Sequence, residues 1–381
     1  MSGNELSPKF AAEMASNVYL IQDIDGQDLF KLKYKNDLDI NDQSMIGGKT
    51  GAFTFLKRKQ VIAVFSTGKG TYKGQAFVAI KGTANLYDAL TDLNTGVKTS
   101  HTGCPVHQGF YYAFDSILTE LRKFITSLKG IHTVHCVGHS LGGAIATLAA
   151  DWIKASGAKA TAKLYTFGSP RVGLDMFTKK CTSRLLTQNI YRVYHQTDPV
   201  PMVPTWPFYH VPNSAADYAV WSPVGVPWEY HRMKHYITSA EIAGSWGAMK
   251  KDRPKGFMDS TVESWLKSDG ALLFTANTLE LLSASFLYVL KKAVNAAGIL
   301  MVGGFASTFT LLDRMAIFLA RATKLSLEVS NWVYYLVRKM AALIGVKVKE
   351  GTNLTVVFIR NIFLRLHQKV SELVWRASDL R

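Results

Sequence analysis

A serine acts as a nucleophile only when its hydroxyl is lifted clear of the backbone and a neighbouring group takes its proton. The segment HTVHCVGHSLGGAIATLAADWI, His132 to Ile153, meets the first condition by residue type. A β-branched run leads into Gly138, Ser140 follows, and Gly142 and Gly143 open an Ala- and Leu-rich run. Gly138-His139-Ser140-Leu141-Gly142 has the spacing G-x-S-x-G, which in this context predicts a strand, a turn too tight for side chains, and a helix. The serine at such a turn adopts a strained backbone, and small neighbours let strand and helix approach closely. The chemistry this serves is acyl transfer through a serine ester.

The second condition needs a histidine to take the proton and a carboxylate to hold the histidine. In a strand-turn-helix of this kind the acid and then the base follow the serine along the chain. Asp198, in NIYRVYHQTDPVPMVP, directly follows a β-rich run, so a strand end would present it beside Ser140. Asp217 is the only other plausible acid in the interval, and no strand-like run leads into it. Four histidines follow the serine before the connector: His195, His210, His231 and His235. His195 precedes the acid, which disfavours it as the base, and the residues alone leave the other three open.

These groups need a scaffold. Over roughly the first 245 residues, β-rich runs such as QAFVAIKG and AKLYTFGSP alternate with helix-like runs such as GFYYAFDSILTELRKFITSLKG. That alternation predicts an α/β layer fold with a largely parallel sheet, spanning 1–246. GAMKKDRPKGFMDS then reads as a charged connector, within 247–270, and 271–381 as a basic, apolar helical region suited to a membrane or a partner. Ala293 to Leu312 is uncharged and long enough to cross a bilayer, but Asn295, Gly303, Gly304, Ser307 and Thr308 dilute it. Membrane insertion and a packed helix or hairpin both stay open. Val357, Phe358, Ile362, Leu366, Val370 and Leu373 recur at helical spacing among Arg360, Arg365 and Lys369, the pattern of a basic amphipathic helix that rests on anionic lipid or on a core.

The 381 residues, 48% hydrophobic and 19% charged, are enough for one large core and a second smaller unit, and exclude a disordered chain. A net charge of +16 implies attraction to a polyanion. No nucleic-acid-binding motif accompanies that charge, which argues against nucleic acid and for an anionic membrane. Cys104, Cys136 and Cys181 are too scattered for a disulfide framework and lack metal-ligand spacing, so neither a metal nor another cofactor is expected. Cys136, inside an apolar run, reads as a buried inert thiol. The start, MSGNELSPKFAAEM, lacks a basic segment followed by an apolar one, so the expectation is synthesis in the cytoplasm with no ordinary signal peptide.

Residues 15–245 or so resemble the class 3 lipases, the fungal-lipase-like branch of the α/β-hydrolases. AIKGTANLYDALTDL is similar to the family's oxyanion-loop segment, with Gly82 and Thr83 at its centre and Asp88 and Asp92 at its acidic positions. VHQGFYYAF resembles its His-x-Gly-Phe entry to a helix, YTFGSPRVG its strand-turn signature, and DPVPMVPTWPFYH the acid's segment, in which the position of His210 is usually not catalytic. YHRMKHYI resembles the base's segment, where the histidine precedes a tyrosine by five residues, and this selects His231 over His235. The resemblance therefore implies an α/β-hydrolase fold and an ester hydrolase with Ser140, Asp198 and His231 as catalytic residues. Thr83 and Leu141 would be its oxyanion donors. Lys81, Asn85 and Ala89 depart from the usual Arg, Ser and Trp, and the missing aromatic puts lid behaviour in doubt. The acid and base also lie closer in sequence than in the fungal enzymes. With the basic appended region, the chain is similar to bacterial lipase effectors delivered by a type VI-like secretion route. This implies membrane phospholipid as substrate, action at a target cell's membrane or periplasm, a secretion-apparatus component, and a cognate immunity protein. A triacylglycerol lipase or carboxylesterase without a toxin role is the alternative.

Overall fold

β-branched and aromatic runs set the frame of the N-terminal part. In the computed structural model, which describes residues 5–48, 60–82, 96–204, 207–213, 217–222, 227–249, 257–270, 272–297 and 311–379, two helices come first. Helix α1 (Pro8–Asn17) starts where Ser7 Oγ accepts the Phe10 N–H, with proline at the first helical position. Helix α2 (Ile24–Lys33) is capped by Asp23 in the same way. Strands β1 (Leu38–Asp39), β2 (Met45–Gly48), β3 (Gln60–Gly68) and β4 (Gln75–Ile80) follow. Strands β5 (Val97–Thr99) and β6 (Pro105–His107) form a separate ribbon. Then come α3 (Gln108–Ser127), β7 (Thr133–His139), α4 (Leu141–Ala155), β8 (Thr161–Phe167), α5 (Asp175–Leu185), β9 (Ile190–His195), β10 (Tyr218–Val220) and α6 (Met233–Ala243).

Among the described residues, eight strands make one sheet in the order β1-β3-β4-β7-β8-β9-β10, with β2 also on β3. Pairing is parallel from β4 through β10 and antiparallel around β3. Parallel strands covered on both faces read as continuous apolar runs rather than alternating ones, and every residue of β4 and β7 is buried. The core joins Phe77, Val137, Tyr165 and Phe167 of the sheet to Met14, Val18 and Phe30 of the N-terminal segment. Trp246 seals the same cluster: its Nε1–H donates to the Leu6 carbonyl at 2.7 Å, while the Leu6 N–H donates to Tyr165 Oη at 3.0 Å.

The chain divides into two compact units, Met1–Leu90, Val97–Pro254 and Val374–Arg381 in one, Thr91–Gly96 and Lys255–Leu373 in the other. The second is helical, with α7 (Asp259–Lys267), α8 (Ala276–Ala297), α9 (Leu311–Ala322), α10 (Leu327–Leu343) and α11 (Val356–Asp379) as far as Leu373. Helix α7 lies inside the stretch 247–270 that the composition marks as a connector. Its Val262 and Leu266 are buried at i, i+4, a stripe that the surrounding Lys, Asp and Pro mask in the sequence. In α11 the buried stripe is Ile359, Ile362, Phe363, Leu366 and Val370, with Phe363 meeting Phe286 of α8, and Val357 is 68% exposed. The apolar face of this helix is thus spent on its own unit, and Arg360, Arg365 and Lys369 face solvent. Of the uncharged segment from Ala293 to Leu312, residues 298–310 lie outside the described residues. Among those described, no helix is long and apolar enough to cross a membrane.

Candidate active site

Ser140 stands between β7 and α4 with φ 57° and ψ −133°, a positive-φ conformation that only glycine adopts readily. Strain of this kind persists only where the surroundings over-determine it. The Ser140 N–H donates to the Phe167 carbonyl at the end of β8, at 3.0 Å. On the other side, a Cβ at Gly142 would lie 2.2 Å from the Ile80 carbonyl, so only glycine lets α4 start against β4.

Asp198 sits in the turn after β9 and is fully buried. Oδ1 accepts the Val200 N–H at 2.9 Å; Oδ2 accepts the Tyr236 hydroxyl at 2.6 Å and lies 2.9 Å from His231 Nδ1. His231 ends the 3-10 turn Pro227–His231 just before α6, with Nε2 3.0 Å from Ser140 Oγ. A carboxylate can only accept, so Nδ1 carries the proton and Nε2 is left to accept the serine O–H. Burial first, and then the Asp198 charge, pushes the Tyr236 hydroxyl well above its ordinary range, which keeps it a donor. The sheet thus brings Ser140, Asp198 and His231 into one hydrogen-bonded series.

The other candidates lie elsewhere. Thr83 is outside the described residues. Leu141 is the first residue of α4, where a backbone N–H has no acceptor within the helix and is available to an incoming oxygen. Asp217 forms a buried ion pair with Arg192, Nη1 to Oδ2 2.6 Å. His195 packs 4.6 Å from the Tyr236 ring, and burial lowers its pKa to about 4. His210 is held well below the usual range by burial and then by Arg192 and Arg171. His235 stacks on Tyr230 and reaches Glu229 at 3.5 Å. Among the described residues no group of three or more His, Cys, Asp or Glu could hold a metal ion. Cys104, Cys136 and Cys181 are buried and unpaired, and burial pushes the Cys136 thiol up.

Sequence reasoning missed three side chains here. Tyr236 was visible only as the tyrosine five residues after His231, with nothing to say that it would reach Asp198. His139, the variable position before the serine, lies with its ring 4.4 Å from that of His231, and Tyr19 bonds to His139. No local pattern announces Tyr19, which comes 120 residues earlier.

A mostly parallel sheet, a serine at a strained strand-to-helix turn, and an aspartate from a later strand end reaching it through histidine define an α/β-hydrolase. The family model described as Lipase (class 3) matches residues 77–208, and over that stretch the chain resembles class 3 lipases. It is 34% identical over 170 residues to secreted mono- and diacylglycerol lipase 1 of Fusarium solani, covering 42% of this chain and 45% of that protein. It is 40% identical over 120 residues to toxin TseL of Vibrio cholerae, covering 30% of this chain and 18% of TseL. The solved Rhizomucor miehei triacylglyceride lipase aligns with 21% identity and a TM-score of 0.42, covering 56% of this chain and 78% of that one. The chain spans less than half the length of these two curated relatives.

Proposed function

We propose that the protein is a serine hydrolase of lipid esters that acts on membrane phospholipid. The observation that carries the chemistry is the series Ser140 Oγ, His231 Nε2, His231 Nδ1 and Asp198 Oδ2, with separations of 3.0 and 2.9 Å. Ser140 attacks the ester carbonyl while His231 takes its proton, and His231 then delivers that proton to the departing alcohol. Asp198 holds the ring and balances the imidazolium. The Leu141 N–H, with that of Thr83, receives the oxyanion, and in other enzymes one such donor is worth about 2.7 to 4 kcal/mol. Water clears the acyl-enzyme by the same steps in reverse.

Phospholipid is supported by the net charge of +16 and by the second unit, where Lys and Arg outnumber Asp and Glu. Cationic surfaces gain attraction to anionic lipid that they do not gain to neutral fat. Since the apolar stripe of α11 is buried, attraction through this helix is electrostatic. The likeness to TseL, a protein named as a toxin, supports a role in attacking a rival cell. Its maker then requires an immunity protein, and delivery requires a secretion component. The likeness to a mono- and diacylglycerol lipase favours a second reading, hydrolysis of neutral acylglycerols.

The test offers mixed vesicles of phosphatidylglycerol and phosphatidylethanolamine with a trace of diacylglycerol and triacylglycerol, and identifies products by mass spectrometry for wild type and Ser140→Ala. Serine-dependent release of fatty acid and lysophospholipid supports the phospholipase reading. Release from the acylglycerols alone establishes the second. Routing to the periplasm of a test bacterium without growth arrest, or with equal arrest by Ser140→Ala, ends the toxin reading.

A further inference from the structure

The base His231 is held from a direction that the serine–histidine–aspartate series does not use. His139 Nε2 lies 2.8 Å from the His231 backbone carbonyl, and its Nδ1 lies 2.8 Å from the Tyr19 hydroxyl. The carbonyl only accepts, so Nε2 of His139 carries the proton, and Nδ1 of the neutral ring accepts the Tyr19 O–H. The two imidazole rings face each other at 4.4 Å with an interplanar angle of 33°. Tyr19 belongs to the 3-10 turn Val18–Gln22 between α1 and α2, and both His139 and Ser140 are buried. A Cβ at Gly82 would lie 2.1 Å from the Tyr19 oxygen, so this hydroxyl occupies the room glycine leaves at the end of β4.

We infer that His139 and Tyr19 are positioning residues for His231, an inference that rests on the ester-hydrolase reading above. Asp198 fixes Nδ1 of His231, but the bond from Nε2 to Ser140 is lost during the reaction, and Nδ1 alone leaves the ring free to turn. His139 limits that freedom twice, by tying the backbone carbonyl and by packing against the ring at a tilt of 33°. The His231 carbonyl fixes Nε2 of His139 as the donor, and Tyr19, bonded to Nδ1 on the far side, holds that ring in place. The hydroxyl of Tyr19 thus steadies the ring whose N–H holds the base, through a residue that touches no substrate.

The test measures kcat and KM on p-nitrophenyl butyrate for the full chain and for Ser140→Ala, His139→Leu, His139→Gln, Tyr19→Phe and the double variant Tyr19→Phe/His139→Leu, with thermal melts to select folded proteins. Loss of an outer-shell support to a working histidine costs about 10- to 100-fold in the better-studied metal sites, and a drop of that size in kcat is expected for His139→Leu, with KM within about twofold. His139→Gln can still donate to the carbonyl and should recover most of the loss. Tyr19→Phe should cost about fivefold alone, the size of one hydrogen bond, and almost nothing on top of His139→Leu, because it acts through that ring. Wild-type kcat in His139→Leu, equal damage in His139→Gln and His139→Leu, or losses that multiply in the double variant would each overturn the inference. If His139→Leu fails to fold, the contrast between Tyr19→Phe and His139→Gln decides in its place. Hydrolysis that survives in Ser140→Ala removes the ester-hydrolase reading and this inference together; hydrolysis that needs Ser140 and ignores His139 removes the inference alone.

Discussion

Asp198→Asn changes one atom and should nearly silence the enzyme. The carboxylate accepts three donors, from Val200 and Tyr236 and from His231. An asparagine can accept at only one of its two positions. With its oxygen toward Val200, the amide N–H faces His231 Nδ1 and drives the ring proton to Nε2, where it blocks the serine. With its oxygen toward His231, the amide N–H faces the Val200 N–H, and a buried donor goes unsatisfied at about 1 to 3 kcal/mol. In neither orientation is the imidazolium balanced by charge. Two unit charges about 4 Å apart at an effective dielectric constant near 20 interact by about 4 kcal/mol, which corresponds to roughly a thousandfold in rate. With the proton misplaced as well, kcat should fall about 10³- to 10⁴-fold. The assay is steady-state hydrolysis of a short soluble ester, with active sites counted by a fluorophosphonate probe and folding checked by melting. A folded Asp198→Asn protein that keeps a tenth of the wild-type kcat would refute the assignment of Asp198.

Asp217→Asn should behave in the opposite sense: it strips the buried partner from Arg192 and lowers stability by about 3 to 5 kcal/mol, read as an earlier denaturant midpoint, while kcat per titrated site stays near wild type. His135 supplies a pH prediction. Burial, reinforced by Lys163 and His132, lowers its pKa from 6.5 to about 3 while its Nε2 bonds to Gln75 Oε1 at 2.6 Å. The unfolded chain therefore binds the extra proton first, so the stability present above pH 6.5 is lost as pH falls toward about 3. Between about pH 6.5 and 5 that loss amounts to roughly 2 kcal/mol, and His135→Gln should lose correspondingly less in denaturant titrations at the two pH values. Ellman's reagent should find no reactive thiol in the native protein and three after unfolding, since all three cysteines are buried and free; a fast-reacting native thiol would contradict that packing.

What was legible in the sequence followed how local its cause is. The turn at Ser140 is written in five consecutive residues, and the strand and helix around it follow from neighbouring composition, so the elbow could be read directly. Asp198 was legible because a β-rich run, the strand ending at His195, leads directly to it. His231 was not separable from His210 and His235 by residue type alone, because what distinguishes them is the fold: His210 and His235 meet arginines and Glu229, and only His231 meets Ser140. Tyr236, His139 and Tyr19 are joined to the site by hydrogen bonds across 38, 92 and 120 residues. No period or motif carries such contacts. In the helical part, helix α7 was hidden by charge, and the stripe of α11 shifted because Ile359 and Phe363 are buried instead of Val357.

Leu6 and Trp246 are separated by 240 residues and share a hydrogen bond. The stretch from Leu6 to Trp246, which carries Ser140, Asp198 and His231, is therefore a loop fastened at its base. Chains whose ends meet in this way tolerate additions there, because whatever is attached need not thread through the sheet. Seen so, the stretch is a cassette: the residues of the serine–histidine–aspartate series are enclosed between two neighbouring points of the chain.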